Sequence, residues 1–188
     1  MSLYLEFREK HVDNLKDGRP IYIEHLGKVS MSELRAITTE ARMLQAYVVA
    51  CETFHTHRLP ACSQLMGYPV TNLCTILDLR GLTSGLRLFW DVKSYLQQTS
   101  HIGQNYYPES LGKMYVVNAP WVFATVWGVV RGWLDPVTAA KVVIVNGDGR
   151  KELLEQIDED SLPSELGGSC KCPGGCEVSD AGPWQAGL

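Results

Sequence analysis

Three short apolar runs, Thr71–Leu79, Lys113–Asn118 and Lys141–Val145, recur along this chain with helix-like segments between them. Each run is too short for a buried helix and is rich in branched and aromatic residues, so each is predicted to be a strand. A fourth strand is predicted at Ile21-Tyr22-Ile23-Glu24, after the turn residues Asp17-Gly18-Arg19-Pro20. Between the strands, Thr38 to about Thr56 lacks Gly and Pro and places Met43, Leu44, Tyr47, Val48 and Cys51 at helical spacing. Ser30 or Ser32, with Glu33 close behind, caps the segment before it, and Pro60 and Gly67 are expected to break the stretch after it. Further helices are predicted at Ser84–Ser100, Trp121–Leu134 and Lys151–Ile157. Strand and helix thus alternate from residue 20 to 157, which predicts an α/β fold with a mixed, largely parallel sheet and helical crossovers.

The segment Trp121–Leu134 carries a single charge, Arg131, and its apolar residues reach every side of the helical wheel. Such a helix is buried on both sides or meets lipid. At 1.5 Å per residue it would extend only ~21 Å, too short to cross a bilayer. Trp121, Trp127 and Trp133 have rings suited to a membrane interface. Gly128 and Gly132 each weaken a helix by about 1 kcal/mol relative to Ala. A central core helix and a lid between bound lipid and membrane both satisfy this pattern, and composition alone slightly favours the first.

The 188 residues suit one domain with a sizeable core, 1–188, whose last ~20 residues are Gly-, Pro- and Cys-rich and expected to be irregular. A net charge of −4 gives no broad basic field for nucleic acid. Met1–Lys10 shows no basic region followed by an apolar run, and no apolar stretch reaches ~18 residues. A cytoplasmic, reducing setting is the default expectation, which argues against disulfides among the six cysteines.

No catalytic set emerges. Gly81-Leu-Thr-Ser-Gly85 has its serine misplaced for a nucleophile elbow, and Gly147-Asp-Gly149 lacks the third glycine of a dinucleotide loop. His55 and His57 diverge on a helix. Cys170-x-Cys172-x3-Cys176 offers three thiols where structural zinc usually takes four ligands, so thiols in an ordered loop are the favoured reading and no metal is assigned. Cys51, Cys62 and Cys74 lie in apolar stretches and read as small buried residues. Glu109 and Lys141 admit two readings: an exposed ion pair worth little, or the polar end of an apolar pocket, where Lys141 and a hydroxyl such as Thr138 hold a phosphate.

An ordered series of motifs runs from residue 17 to 184: Asp17-Gly-Arg-Pro20, Arg58-Leu-Pro-Ala-Cys62, Cys74-Thr-Ile-Leu-Asp-Leu-Arg-Gly81, Gln104-Asn-Tyr-Tyr-Pro-Glu109, Asn118-Ala-Pro120, Leu134-Asp-Pro-Val-Thr138, Lys151-Glu-Leu-Leu-Glu-Gln-Ile157, Leu162-Pro163 with Gly167-Gly168, and Ser179-Asp-Ala-Gly-Pro-Trp184. In this series the chain resembles the CRAL-TRIO lipid-binding domain of the fungal Sec-fourteen-like phosphatidylinositol transfer proteins. The resemblance implies a sheet floor under an apolar cavity, spanning about 17–168, that holds one phospholipid. Trp121–Leu134 corresponds to the gate, with Trp121, Phe123, Trp127, Val130 and Trp133 as its gate residues. Glu109, Thr138 and Lys141 match the residues that bind a phosphoinositol headgroup. Tyr22 and Thr75 match residues of a second, phosphatidylcholine site, and Gly168 matches a hinge glycine coupled to gate motion.

The departures bear on the second lipid. His11 and Cys51 stand where phosphatidylcholine binders of the family place tyrosines, Leu73 where they place a serine, and Ser110 where they place an arginine. Lost aromatic faces weaken recognition of a quaternary ammonium, and the lost arginine removes a phosphate contact. The resemblance therefore implies phosphatidylinositol as the principal ligand, with a sterol or another hydrophobe as the second. It implies no enzymatic activity and no cofactor besides the bound lipid. The expected setting is a cytoplasmic monomer, peripheral on Golgi or endosomal membranes, exchanging lipid for phosphoinositide signalling and vesicle trafficking. The alternative is a presentation module that binds lipid without transferring it and regulates a partner such as a lipid kinase. Family members carry a helical N-terminal region that packs on this domain; this chain starts just before the lipid domain, so surface those helices cover is expected to be exposed.

Overall fold

The computed structural model describes residues 9–10, 17–82, 85–145, 147–176 and 179–185, with backbone alone for 9–10 and 85–88. Five strands, β1 (Glu9–Lys10), β2 (Ile21–His25), β3 (Leu73–Asp78), β4 (Leu111–Val117) and β5 (Val142–Ile144), form one sheet in chain order. β1 runs antiparallel to β2, and the remaining pairs are parallel. This agrees with the mixed, largely parallel α/β expectation.

The helices are α1 (Met31–Ile37), α2 (Glu40–Thr53), α3 (Leu59–Met66), α4 (Gly85–Tyr106), α5 (Phe123–Arg131), α6 (Pro136–Ala140) and α7 (Arg150–Gln156). Parallel strands that succeed one another in sheet order require crossovers of one hand, which puts α1–α6 on the same side. α7 comes after the last strand and is free to cover the other side. Leu153 and Ile157 pack there with Leu162 and Leu166 against Ile21, Cys74, Ile76, Tyr115, Val117 and Val145, and together they form the main core. These strand residues alternate with the set facing the crossover helices.

Several boundaries differ from expectation: α4, for one, runs on to Tyr106 rather than ending at Ser100. Pro60 does not break a helix. It sits in the first turn of α3, where its missing N–H costs nothing, and a π-turn over Phe54–Arg58 joins α2 to α3. α5 spans nine residues rather than the fourteen expected. Its start has no side-chain cap, and Gly132 ends it in a tight turn, Gly132 N–H donating to Val129 O at 3.2 Å.

At the C-terminal ends of β3 and β4, Asp78 is 3% exposed and accepts three hydrogen bonds, from His25 Nδ1 (3.2 Å), Arg80 N (2.9 Å) and Asn118 Nδ2 (2.8 Å). Burial alone would raise its pKa, but these donors outweigh it and hold the carboxyl at about 2. A depressed folded value means stability that is present above the unfolded pKa, near 4, and lost as pH falls through 2. Urea titrations should show the protein losing about 2 kcal/mol between pH 4 and pH 2 that Asp78→Asn, already weaker at pH 7, does not lose. Equal acid sensitivity of the two proteins would refute this role for Asp78.

Candidate lipid-binding site

The sheet face turned toward α1–α6 carries two cross-strand rows. One is Tyr22, Thr75, Met114 and Val142; the other is Glu24, Leu77, Val116 and Ile144. Thr75 and Val116 are buried, yet Tyr22, Leu77, Met114 and Val142 are half-accessible and Ile144 is 38% exposed. α4 packs against α2 and α5. Glu40 on α2 accepts hydrogen bonds from Ser94 Oγ (2.9 Å) and Gln98 Nε2 (2.7 Å) on α4. Tyr22, Leu77, Met114 and Val142 thus present apolar surface on this face that the helices do not fully cover. Glu24 lies on this floor near Tyr95 of α4, and burial pushes its carboxyl up to about 7.

α5 forms part of the roof. Phe123, Trp127, Val130 and Trp133 are half-buried, and Val126, absent from the expected gate set, is buried. The opposite side holds Ala124, Thr125, Gly128 and Arg131, all exposed. The helix is therefore one-sided, with small and polar residues outward. Trp121 lies before the helix in a turn and is 91% exposed. Trp133 stacks on Phe89 of α4 at 6.1 Å. Gln104 of α4 fastens the far end twice: its Nε2 donates to Trp133 O (3.2 Å) and its Oε1 accepts from Asp135 N (2.8 Å). The sequence placed Gln104 in a motif without a role for it.

Lys141 immediately precedes β5 and Glu109 lies two residues before the neighbouring β4, at the N-terminal edge of the sheet. Lys141 Nζ donates to Glu109 Oε2 at 3.0 Å, with the lysine side chain 21% and the glutamate 77% exposed. Glu109 has φ 62°, a left-handed conformation that costs a non-glycine residue energy and recurs at functional positions. Thr138 and Lys141 belong to one short turn: Asp135 Oδ1 caps α6, accepting from Val137 N and Thr138 N at 2.9 Å, and Lys141 N donates to Thr138 O at 3.1 Å. Glu109 is thus held in the loop before β4, and Thr138 and Lys141 in α6 and at its C-terminal end. A lysine whose partner is an exposed glutamate can exchange that partner for a phosphate oxygen at little cost.

Tyr22 and Thr75 are direct cross-strand partners on the floor. Cys51 is half-buried on α2 and hydrogen-bonds with Tyr47. Leu73 packs instead into a second cluster with Phe54, Leu59, Cys62 and Val70. Ser110 donates to Tyr107 O (2.7 Å) and lies 2.9 Å from His55 Nε2, while His55 Nδ1 lies 2.8 Å from Cys51 O. His55 also stacks on Tyr107, whose hydroxyl donates to Glu52 at 2.6 Å. The π-turn aims His55 at this loop beside Glu109, a contact no local spacing reveals; His57 is exposed. His11 lies outside the described residues. Gly168 N donates to Pro163 O at 3.0 Å within the segment under the main core. Among the described residues no helix is long and apolar enough to cross a membrane.

Comparison with known proteins bears on the fold and the family. The Sec14 cytosolic factor of Schizosaccharomyces pombe is 48% identical over 168 residues, covering 89% of this chain and 58% of that protein. The phosphatidylinositol/phosphatidylcholine transfer protein SFH14 of Arabidopsis thaliana is 43% identical over 173 residues, covering 90% of this chain and 30% of that protein. The chain thus spans little more than half the length of the first relative and less of the second. The crystal structure of Sfh5 superposes with a TM-score of 0.62 at 19% identity, over 80% of this chain and 51% of that one, which shows the shared fold. The pattern of the CRAL/TRIO domain matches residues 13–168, and the chain belongs to that domain family.

Proposed function

We propose that this protein binds one phospholipid, phosphatidylinositol, between the sheet floor and the α4–α5 roof, and carries it between membranes without bond chemistry. The observation that carries this reading is the Glu109–Thr138–Lys141 cluster at one edge of an accessible apolar floor. The acyl chains gain roughly 0.8 kcal/mol per CH₂ on leaving water for such a space. Relative to a membrane that gain nearly vanishes, so lipid can also leave. The name of the Arabidopsis relative is consistent with this ligand class. Native mass spectrometry of the chain after incubation with mixed liposomes tests it: a mass increase of one phosphatidylinositol supports the reading, and a protein that takes up only choline lipid or sterol sinks it.

Trp121 is the residue through which the roof would meet a bilayer. Moving its exposed ring into a membrane interface contributes about 1–2 kcal/mol, so Trp121→Ala should bind vesicles roughly five- to thirtyfold more weakly in a co-sedimentation assay. Unchanged partitioning would remove α5 and its approach from the docking surface.

A further inference from the structure

We propose that Cys170, Cys172 and Cys176 form a zinc site of three thiolates, separate from the lipid site. The three sulfur atoms lie within 4.8 Å of one another, with Sγ–Sγ separations of 3.5 Å for Cys170–Cys172 and 3.8 Å for Cys170–Cys176. Two thiolates bound at ~2.3 Å to a tetrahedral zinc ion stand about 3.8 Å apart, whereas a disulfide would bring them to ~2.05 Å. None of the three is in a disulfide.

The loop is built to hold this arrangement. Gly174 (φ 79°) and Gly175 (φ 98°) take left-handed conformations, and Gly175 N donates to Cys172 O at 2.9 Å, folding the chain so that Cys176 returns to Cys172. Cys172 N–H points at Cys176 Sγ (3.5 Å), a donor that favours the thiolate form. Cys170 is anchored on the core: its N donates to Leu162 O (3.0 Å) and its O accepts from Ser164 N (3.3 Å). Binding replaces three S–H bonds with three Zn–S bonds and releases three protons to solvent; the Cys176 S–H contact to Cys170 O (3.3 Å) is given up. Water or an exogenous thiol fills the fourth position, because no other described His, Cys, Asp or Glu reaches the group.

The consequence is mechanical. The segment after Gly168 leads to Asp180 and Trp184, which dock on the second cluster through Arg58, 3.2 Å from Asp180 and 5.5 Å from the Trp184 ring. An ion at the three cysteines would tie this C-terminal strap to the core residues beside Gly168.

The test uses the purified chain under reducing conditions. Zinc(II) is titrated in competition with a chromophoric chelator, and cobalt(II) is added separately as a spectroscopic probe. The expected result is one zinc per chain with Kd below about 1 µM, a near-ultraviolet thiolate-to-cobalt band, and a higher Tm with zinc. Cys172→Ser and Cys176→Ser should lose all three, and Cys51→Ser should keep them. The proposal is overturned by no zinc uptake, by uptake unchanged in both serine variants, or by oxidation of these cysteines to a disulfide in place of metal binding. Circular dichroism of each variant separates misfolding from loss of a ligand.

Discussion

Lys141→Ala is expected to lose phosphatidylinositol uptake by about 30- to 150-fold while leaving the fold almost untouched. A charge-assisted contact to a phosphate is worth about 2–3 kcal/mol, which converts to that factor. The stability effect is small because the partner in this structure, Glu109, is 77% exposed, and such pairs contribute about 1 kcal/mol or less. Uptake of a sterol or a choline lipid, which does not need an inositol phosphate grip, should survive. The two readouts must diverge: if all lipids are lost together the variant has collapsed the roof, and if phosphatidylinositol loading persists the headgroup assignment is wrong.

Gly168→Ala should destabilise the protein by about 3 kcal/mol or more, lowering Tm by roughly 6–12 °C for a domain of this size. A Cβ at Gly168 would lie 2.0 Å from Leu162 O and 2.5 Å from Leu162 Cβ. Leu162 cannot retreat, since it is fully buried in the main core and its carbonyl is held by Cys170 N at 3.0 Å. Gly128→Ala is the matched control. It sits in α5 with nothing within 4 Å of its added Cβ, and should stabilise by up to about 1 kcal/mol. Thermal unfolding followed by circular dichroism distinguishes the two. Equal Tm values for both would show that the Gly168 segment yields freely, against its packing.

The strands were legible because apolar alternation and turn residues are local signals, and all four strands expected from the sequence form. Glu109 and Lys141 also meet, since residues just before neighbouring parallel strands share one sheet edge. Three things were hidden for physical reasons. The π-turn at Phe54–Arg58, just before Pro60, is a local departure that periodicity does not register. Contacts such as His55 with Ser110 and Gln104 with Trp133 O join residues far apart in sequence. The three thiols meet only because the Gly174–Gly175 turn closes, which spacing between cysteines did not show.

The most direct test of lipid exchange by this chain is transfer of labelled phosphatidylinositol from donor to acceptor vesicles. The expected result is protein-dependent transfer that is far faster for phosphatidylinositol than for phosphatidylcholine and that falls with Lys141→Ala. Lipid bound but not transferred, or choline lipid moved equally well, would contradict it.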